Sequence, residues 1–409
     1  MRPNLHSLCR HSLCRLPLLP LVALASCAAS GAGDEDASVA AVTAACTGQD
    51  SSDQPTARAL PAASRADLQA TLDAVVAAGV APGVALSVDH PAYRKFSAAA
   101  GVADIDTGEP LTAAHRLRAG SMLKTAVATA VLQLVEHRRL SLDARLTDVL
   151  PPAITAKVAE AATITVHMLL DHTAGVPEVT GGAFNEAVIA DPTKIWTIDE
   201  YLDLAAARPR LFPPGGGWAY SNTDYLLLGE VLTATTGRPW RETIERRVFA
   251  RADLAHTSLP RPGNPACDGC SRGYELFNGV LLDLSEVDPS MAGAAGGDAL
   301  ITTTGDLARF LSELLAGRLF DRPATLALMK SFVAAPLPAE AQTHYGLGLA
   351  RFQVGGVEMF GHLGGTAGFQ GFMLMAPATG VVVTGYMNHR PGGLGNFIVP
   401  VLQAVGRLP

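Results

Sequence analysis

Gly120-Ser121-Met122-Leu123-Lys124 leads into Thr125-Ala126-Val127-Ala128-Thr129-Ala130-Val131-Leu132-Gln133-Leu134-Val135, a run with no charge after its lysine. A helix that is apolar all round belongs in an interior. The run therefore predicts a buried helix over 121–136 with a serine and a lysine at its start. Residues three apart share a helix face, which sets the Ser121 hydroxyl beside the Lys124 amine. Scarce water there disfavours the charged amine and turns Lys124 towards a base. On its own, S-x-x-K recurs by chance, and a lysine can also snorkel to the surface.

Outward from this helix the periodicity changes. Leu68, Leu72, Val75 and Val76 make one stripe of a helix over 66–78, and alternation predicts strands over 84–88 and 93–103. At the other end of the chain, 345–352, 357–361, 369–376 and 381–387 read as strands. Pro377-Ala378-Thr379-Gly380 turns the last two into a hairpin, and a helix over 394–406 closes the chain. Between the ends, helices are expected over 166–171, 197–207, 224–236, 240–248 and 304–315, the last with a capping box of Thr303 and Asp306. The expected fold is an α/β (α+β) sandwich. An antiparallel sheet, built from both chain ends, packs against a helical region.

Two further segments carry side chains suited to chemistry. Tyr220-Ser221-Asn222 follows the turn Pro213-Pro214-Gly215-Gly216-Gly217-Trp218, so Tyr220 and Asn222 can point the same way. A phenol beside a lysine can shuttle protons, and an amide can hold both a carbonyl and an amine. Alone, this is a turn followed by a helix start. Gly361-His362-Leu363-Gly364-Gly365-Thr366-Ala367-Gly368 ends a strand in glycines. Such backbone can approach a ligand and offer N–H groups to an oxyanion. His362 adds a polar or cationic group. Alone, this is a histidine at a core edge.

In this order, the three motifs make the chain resemble the serine β-lactamase and penicillin-binding protein family. The matching branch carries S-x-x-K, Y-x-N and H-x-G, as D-alanyl-D-alanine carboxypeptidases, class C β-lactamases and related esterases do. The resemblance spans about residues 66–405 and includes Met168-Leu169-Leu170-Asp171-His172-Thr173-Ala174-Gly175 and Tyr345-Gly346-Leu347-Gly348-Leu349. It implies a β-lactamase/DD-peptidase-like fold, with Ser121 as acylated nucleophile and Lys124 and Tyr220 exchanging protons. Which of those two is the base stays open. It further implies that Asn222 orients the substrate amide, that His362, Gly364 and Gly365 line the substrate side, and that the N–H groups of Ser121 and Gly365 form the oxyanion hole. No metal or cofactor is implied. Leu363 departs from the pattern, because carboxypeptidase-like members carry a hydroxyl residue there to hold a free carboxylate. Arg351, near where those enzymes place carboxylate-binding arginines, could compensate, although Ala350 competes for the position. The function implied first is D-alanyl-D-alanine carboxypeptidase-like, with an esterase or amidase nearly level and a class C-like β-lactamase behind. A non-catalytic penicillin-binding sensor is the alternative of another kind. The substrate is a small-molecule or peptide acyl compound, such as a peptidoglycan stem peptide, a β-lactam or an ester.

Two rival serine sites read as decoys. Gly269-Cys270-Ser271-Arg272-Gly273 matches G-x-S-x-G but follows a loop rather than a strand. Asp171 and His172 could complete a triad with Ser121, but their segment reads as structural.

Composition bounds the rest. With 409 residues, 48% hydrophobic and 17% charged, the chain is neither disordered nor fibrous, and a formal charge of -7 disfavours nucleic acid. Residues 1–26 read as an export leader, with Arg2, Arg10 and Arg15 before an apolar run too short for a bilayer. Leu24-Ala25-Ser26-Cys27 resembles a lipobox, in which Cys27 would carry lipid; cleavage near Ala25 is the alternative. Residues 27–65 read as a flexible tether and 66–409 as one catalytic domain, a monomer in the cell envelope, periplasm or medium. Cys267 and Cys270 are either a local disulfide or two free thiols.

Overall fold

The computed structural model describes residues 58–408 apart from 266, 292, 297, 298, 391 and 392. The expected leader, its Cys27 and most of the expected tether lie outside the described residues. Helix α1 is Ala62–Ala77, and strands β1 (Gly83–His90) and β2 (Tyr93–Gly101) follow. Helices α2 (Leu123–Glu136), α3 (Asn222–Thr236) and α4 (Thr304–Leu315) belong to the middle of the chain. Strands β3 (Val333–Leu337), β4 (Gln342–Tyr345), β5 (Ala350–Val354), β6 (Val357–Thr366), β7 (Phe369–Ala376) and β8 (Val381–Met387) precede the last helix, α5 (Gly395–Val405).

The eight strands form one antiparallel sheet in the order β2-β1-β8-β7-β6-β5-β4-β3. The first strand therefore pairs with the last, Leu86 opposite Gly385. Side chains alternate between two apolar layers. Val84, Leu86 and Val88 meet Phe397 and Val401 of α5 and Leu68 and Leu72 of α1 in one core. Ala85, Met373, Val382 and Tyr386 join α2, α3 and α4 in a larger core on the opposite face. This is the expected sandwich.

Several expected elements needed adjustment. Leu60 is buried and α1 begins at Ala62, so packing starts ahead of the periodic stripe. The expected strand over 345–352 is two strands with a turn between them. Gly348 has φ +73°, and a Cβ there would lie 2.3 Å from the Ala128 Cβ, so this turn lies flat on α2. Thr125 Oγ1 donates to the Gly348 carbonyl at 2.8 Å and fastens it. Strand β6 also runs on through His362-Leu363-Gly364-Gly365-Thr366 instead of ending before the glycines. At α4, Thr303 accepts from the Asp306 N–H, but the Asp306 carboxylate turns away to the His256 N–H and the Thr257 hydroxyl. The cap is thus half a box. Strand β3 and the hairpin of Tyr274–Phe277 with Val280–Asp283 were not foreseen.

Candidate active site

Ser121 lies in a tight helical turn, Gly120–Met122, that feeds α2. Gly120 has φ +56°, and a Cβ there would come within 2.7 Å of the Gly365 backbone N, so only glycine lets this turn sit against β6. Gly364 makes a second close approach, since a Cβ on it would lie 2.2 Å from the Ala119 carbonyl oxygen. The register of β6 with β5 ends at Gly361 opposite Ala350, whereas its register with β7 continues to Thr366 opposite Phe369. The glycine-rich end of β6 is thus held on one edge by β7 and against the Ser121 turn by its glycines.

Nearly every residue of α2 is buried, as its composition predicts. Lys124 is fully buried and places Nζ 3.0 Å from Ser121 Oγ and 2.6 Å from Asn222 Oδ1, with the Ala295 carbonyl also in hydrogen-bond reach. Its Nζ stands 4.8 Å from the centre of the Tyr220 ring. Burial holds the amine well below the usual lysine range, against the smaller opposing pull of Glu178 and Asp224. Tyr220 moves the other way: burial and the neighbouring Tyr345 raise its phenol well above the usual value. The Tyr220 hydroxyl is buried and makes no well-aligned hydrogen bond, though the nearby Ser121 hydroxyl pulls its pKa slightly back.

His362 is buried, with Nε2 2.9 Å from the Tyr345 hydroxyl and Nδ1 beside the Leu363 carbonyl. A carbonyl only accepts, so Nδ1 carries the hydrogen and Nε2 accepts from Tyr345. Burial, then the Lys124 charge, pushes its pKa down to about 3. His362 is therefore neutral near pH 7, and the cationic half of the expected role falls away.

Ser121, Lys124, Tyr220 and Asn222 thus converge, with Gly364 and Gly365 packed on the serine turn and His362 on the adjoining stretch of β6. Arg351 stands apart. It is opposite Phe360 on β6, its guanidinium is paired with Glu358, and Ala350 takes the place opposite Gly361.

The decoys also resolve. Ser271 is buried with its hydroxyl 3.1 Å from that of Tyr386, and it leads into a strand rather than a helix. Asp171 bonds Thr173, while His172 pairs with Asp224 at 2.8 Å and lies tilted against the Tyr220 ring, 4.5 Å between centroids. Cys267 and Cys270 are joined in a disulfide. Glu136, His137 and Asp321 bring three potential ligand atoms within 4.8 Å of one another. The Glu136 carboxylate already accepts from the Asp321 and Arg322 N–H groups and the Thr325 hydroxyl, which satisfies it within the protein.

Residues 68–400 match the family model described as Beta-lactamase. The chain belongs to the beta-lactamase family. Among relatives, it is 30% identical to Penicillin-binding protein 4 of Amycolatopsis lactamdurans over 294 residues, covering 69% of this chain and 75% of that protein. It is 33% identical to Esterase EstB of Burkholderia gladioli over 257 residues, covering 57% of this chain and 65% of that one. The crystal structure of a D-stereospecific amidohydrolase from Streptomyces sp. superposes with a TM-score of 0.73 at 30% identity, over 82% of this chain and 97% of that one. This beta-lactamase-family chain is a serine hydrolase on those grounds. Among the described residues, no helix is long and apolar enough to cross a membrane.

Sequence reasoning missed Glu178. Its carboxylate accepts from the Asn222 backbone N–H at 2.8 Å, from Asn222 Nδ2 at 3.0 Å and from the Thr180 N–H at 2.7 Å. A single glutamate after Val176-Pro177 in a loop offers no spacing signal that would have singled it out.

Proposed function

We propose that the protein hydrolyses esters and amides through an acyl-enzyme on Ser121, with Lys124 as the base. The observation that carries this is the buried Lys124 amine 3.0 Å from the Ser121 hydroxyl. A neutral amine has two hydrogens and one lone pair. Asn222 Oδ1 and the Ala295 carbonyl accept the hydrogens, which leaves the lone pair for the Ser121 O–H. As the Oγ–C bond forms, that proton passes to Lys124 Nζ. Tyr220, whose raised pKa keeps it a neutral phenol, is suited to relay a proton to the leaving oxygen or nitrogen rather than to act first as a base. The N–H groups of Ser121 and Gly365 take the developing oxyanion. Water then attacks the ester of Ser121, and the same groups run the proton transfers in reverse.

The substrate side favours a neutral leaving group. A neutral His362 lacks the charge that would attract a terminal carboxylate, Leu363 lacks a hydroxyl, and Arg351 is paired with Glu358. Each missing hydrogen bond to a charged group is worth about 1.5–3 kcal/mol. An esterase or amidase therefore takes precedence over the D-alanyl-D-alanine carboxypeptidase that the motifs alone imply first. The carboxypeptidase reading keeps support from a relative 25% identical over 276 residues, the D-alanyl-D-alanine-carboxypeptidase/endopeptidase AmpH of Escherichia coli. Export, and a lipid on Cys27, rest on residues 1–27 of the sequence alone. The deciding experiment compares p-nitrophenyl esters and D-amino acid amides with an acyl-D-Ala-D-Ala peptide. Faster turnover of the esters or amides is expected; a preference for the peptide would restore the carboxypeptidase.

A further inference from the structure

We propose that Glu178 is a positioning residue for acylation, fixing the Asn222 amide so that Oδ1 faces Lys124 and the lysine lone pair is left to Ser121. This deepens the acyl-enzyme reading and rests on it.

Three N–H donors converge on the carboxylate. Oε2 accepts from both the Asn222 backbone N–H and Nδ2, and Oε1 accepts from the Thr180 N–H. A carboxylate accepts on both oxygens, so all three donors are satisfied at once. Turning the Asn222 amide over would set Oδ1 against that carboxylate and Nδ2 against Lys124. An N–H aimed at Nζ would compete with the Ser121 hydroxyl for the only lone pair. The loop that brings Glu178 here is tied down independently. The Pro177 carbonyl accepts from the Thr223 hydroxyl at 2.7 Å, and the Glu178 carbonyl accepts from Arg208.

A glutamine of the same shape cannot replace it. A side-chain amide offers one accepting oxygen and one donating nitrogen, so either Thr180 or Asn222 would face another donor. Glu178 also acts by charge, since among the groups that favour the ammonium form of Lys124 it ranks first. The other groups around Nζ are Ser121 from the turn before α2, Asn222, Asp224 and Tyr225 from α3, and Tyr220 beside it. His172 and His362 act from farther round, both held neutral by burial.

The test is the pH dependence of Ser121 acylation by a fluorophosphonate probe, measured on the full chain for the parent, Glu178→Gln and Glu178→Asp. Acylation needs the neutral amine, so its rate rises with pH through the Lys124 pKa. Removing the carboxylate lowers that pKa and moves the rising limb to lower pH. Glu178→Gln should cut the plateau rate about 10- to 100-fold and displace the limb towards acid. Glu178→Asp keeps the charge, so its limb should stay in place while its rate falls. A purely structural role would lower the rates of both variants with neither limb moving, and that outcome overturns the proposal. So does a Glu178→Gln rate equal to the parent's. If Glu178→Gln melts below the assay temperature, Glu178→Asp decides alone, because a parent-like rate there removes the positioning role. If the parent itself is not acylated at Ser121, the acyl-enzyme reading falls first and takes this one with it.

Discussion

Lys124 is a base because of what surrounds it rather than because of what it is. An amine in water is charged at neutral pH; a fully buried one with two carbonyl acceptors and a serine hydroxyl is not driven to be. Arginine at this position stays protonated at any accessible pH. Lys124→Arg should therefore lower the acylation rate about 10²–10⁴-fold across the whole pH range, and stopped-flow labelling would show it; a near-parent rate would transfer the base role to Tyr220. At His362 burial leaves the polar and removes the cationic of the two forms that the sequence left open. His362→Lys should restore a cation beside the site and raise the rate on a carboxylate-terminated peptide relative to an ester, read as the ratio of kcat/KM values. An unchanged ratio would remove His362 from substrate selection. Ser121, Lys124, Tyr220 and Asn222 stood out in the sequence because three motifs in that order resemble a known family, while the apolar helix by itself spoke only for the burial of Lys124. Sequence alone could not give the charge of His362, which depends on its burial in the folded site, or the role of Glu178, which depends on three N–H groups that only the folded loop brings together.

At the scale of elements, the site depends on how closely β6 approaches the turn before α2. Two adjacent glycines separate the causes. A Cβ on Gly364 would meet the Ala119 carbonyl oxygen at 2.2 Å and Met122 Cε at 3.0 Å, whereas the nearest heavy atom to a Cβ on Gly365 is Arg390 Cζ at 4.0 Å. Gly364→Ala should push β6 off the serine turn, costing about 1–3 kcal/mol of stability and at least about tenfold in acylation, since misplacement by an ångström is expensive. Gly365→Ala keeps its N–H and should come close to the parent in both thermal melts and labelling. Equal damage from both would mean that the close approach is not what matters. Element positions were legible where the pattern was strong. The strand over 381–387 and the helix over 304–315 stand where periodicity put them. The turn inside 345–352 was not, because alternating apolar residues read as strand, and only the packing of Gly348 on Ala128 shows why the chain must bend there.

At the scale of the whole molecule, a buried acid outside the site links fold to pH. Glu230 on α3 is buried, with Oε1 unpartnered, and burial raises its carboxyl from 4.5 to about 7. A carboxyl raised in this way binds its proton more tightly folded than unfolded, so stability falls as pH rises between those two values. Glu230→Gln should therefore stabilise the protein at pH 8 by about 1–3 kcal/mol and much less at pH 5, read by urea denaturation; an equal gain at both would exclude titration of Glu230 as the cause. The largest-scale feature, one sheet drawn from both chain ends, was legible from the placement of strand-like segments at those ends. The pairing of β1 with β8 required the fold. Within that sheet, pairing with β7 and the close approach of its glycines hold β6 against the turn carrying Ser121. The central claim is that Ser121, and no other serine, is the nucleophile. Intact-mass and peptide-mapping analysis after fluorophosphonate treatment tests it most directly. One adduct on Ser121, absent in Ser121→Ala and kept in Ser271→Ala, is the predicted result. A folded protein that takes no adduct, or takes it on Ser271, would contradict the account.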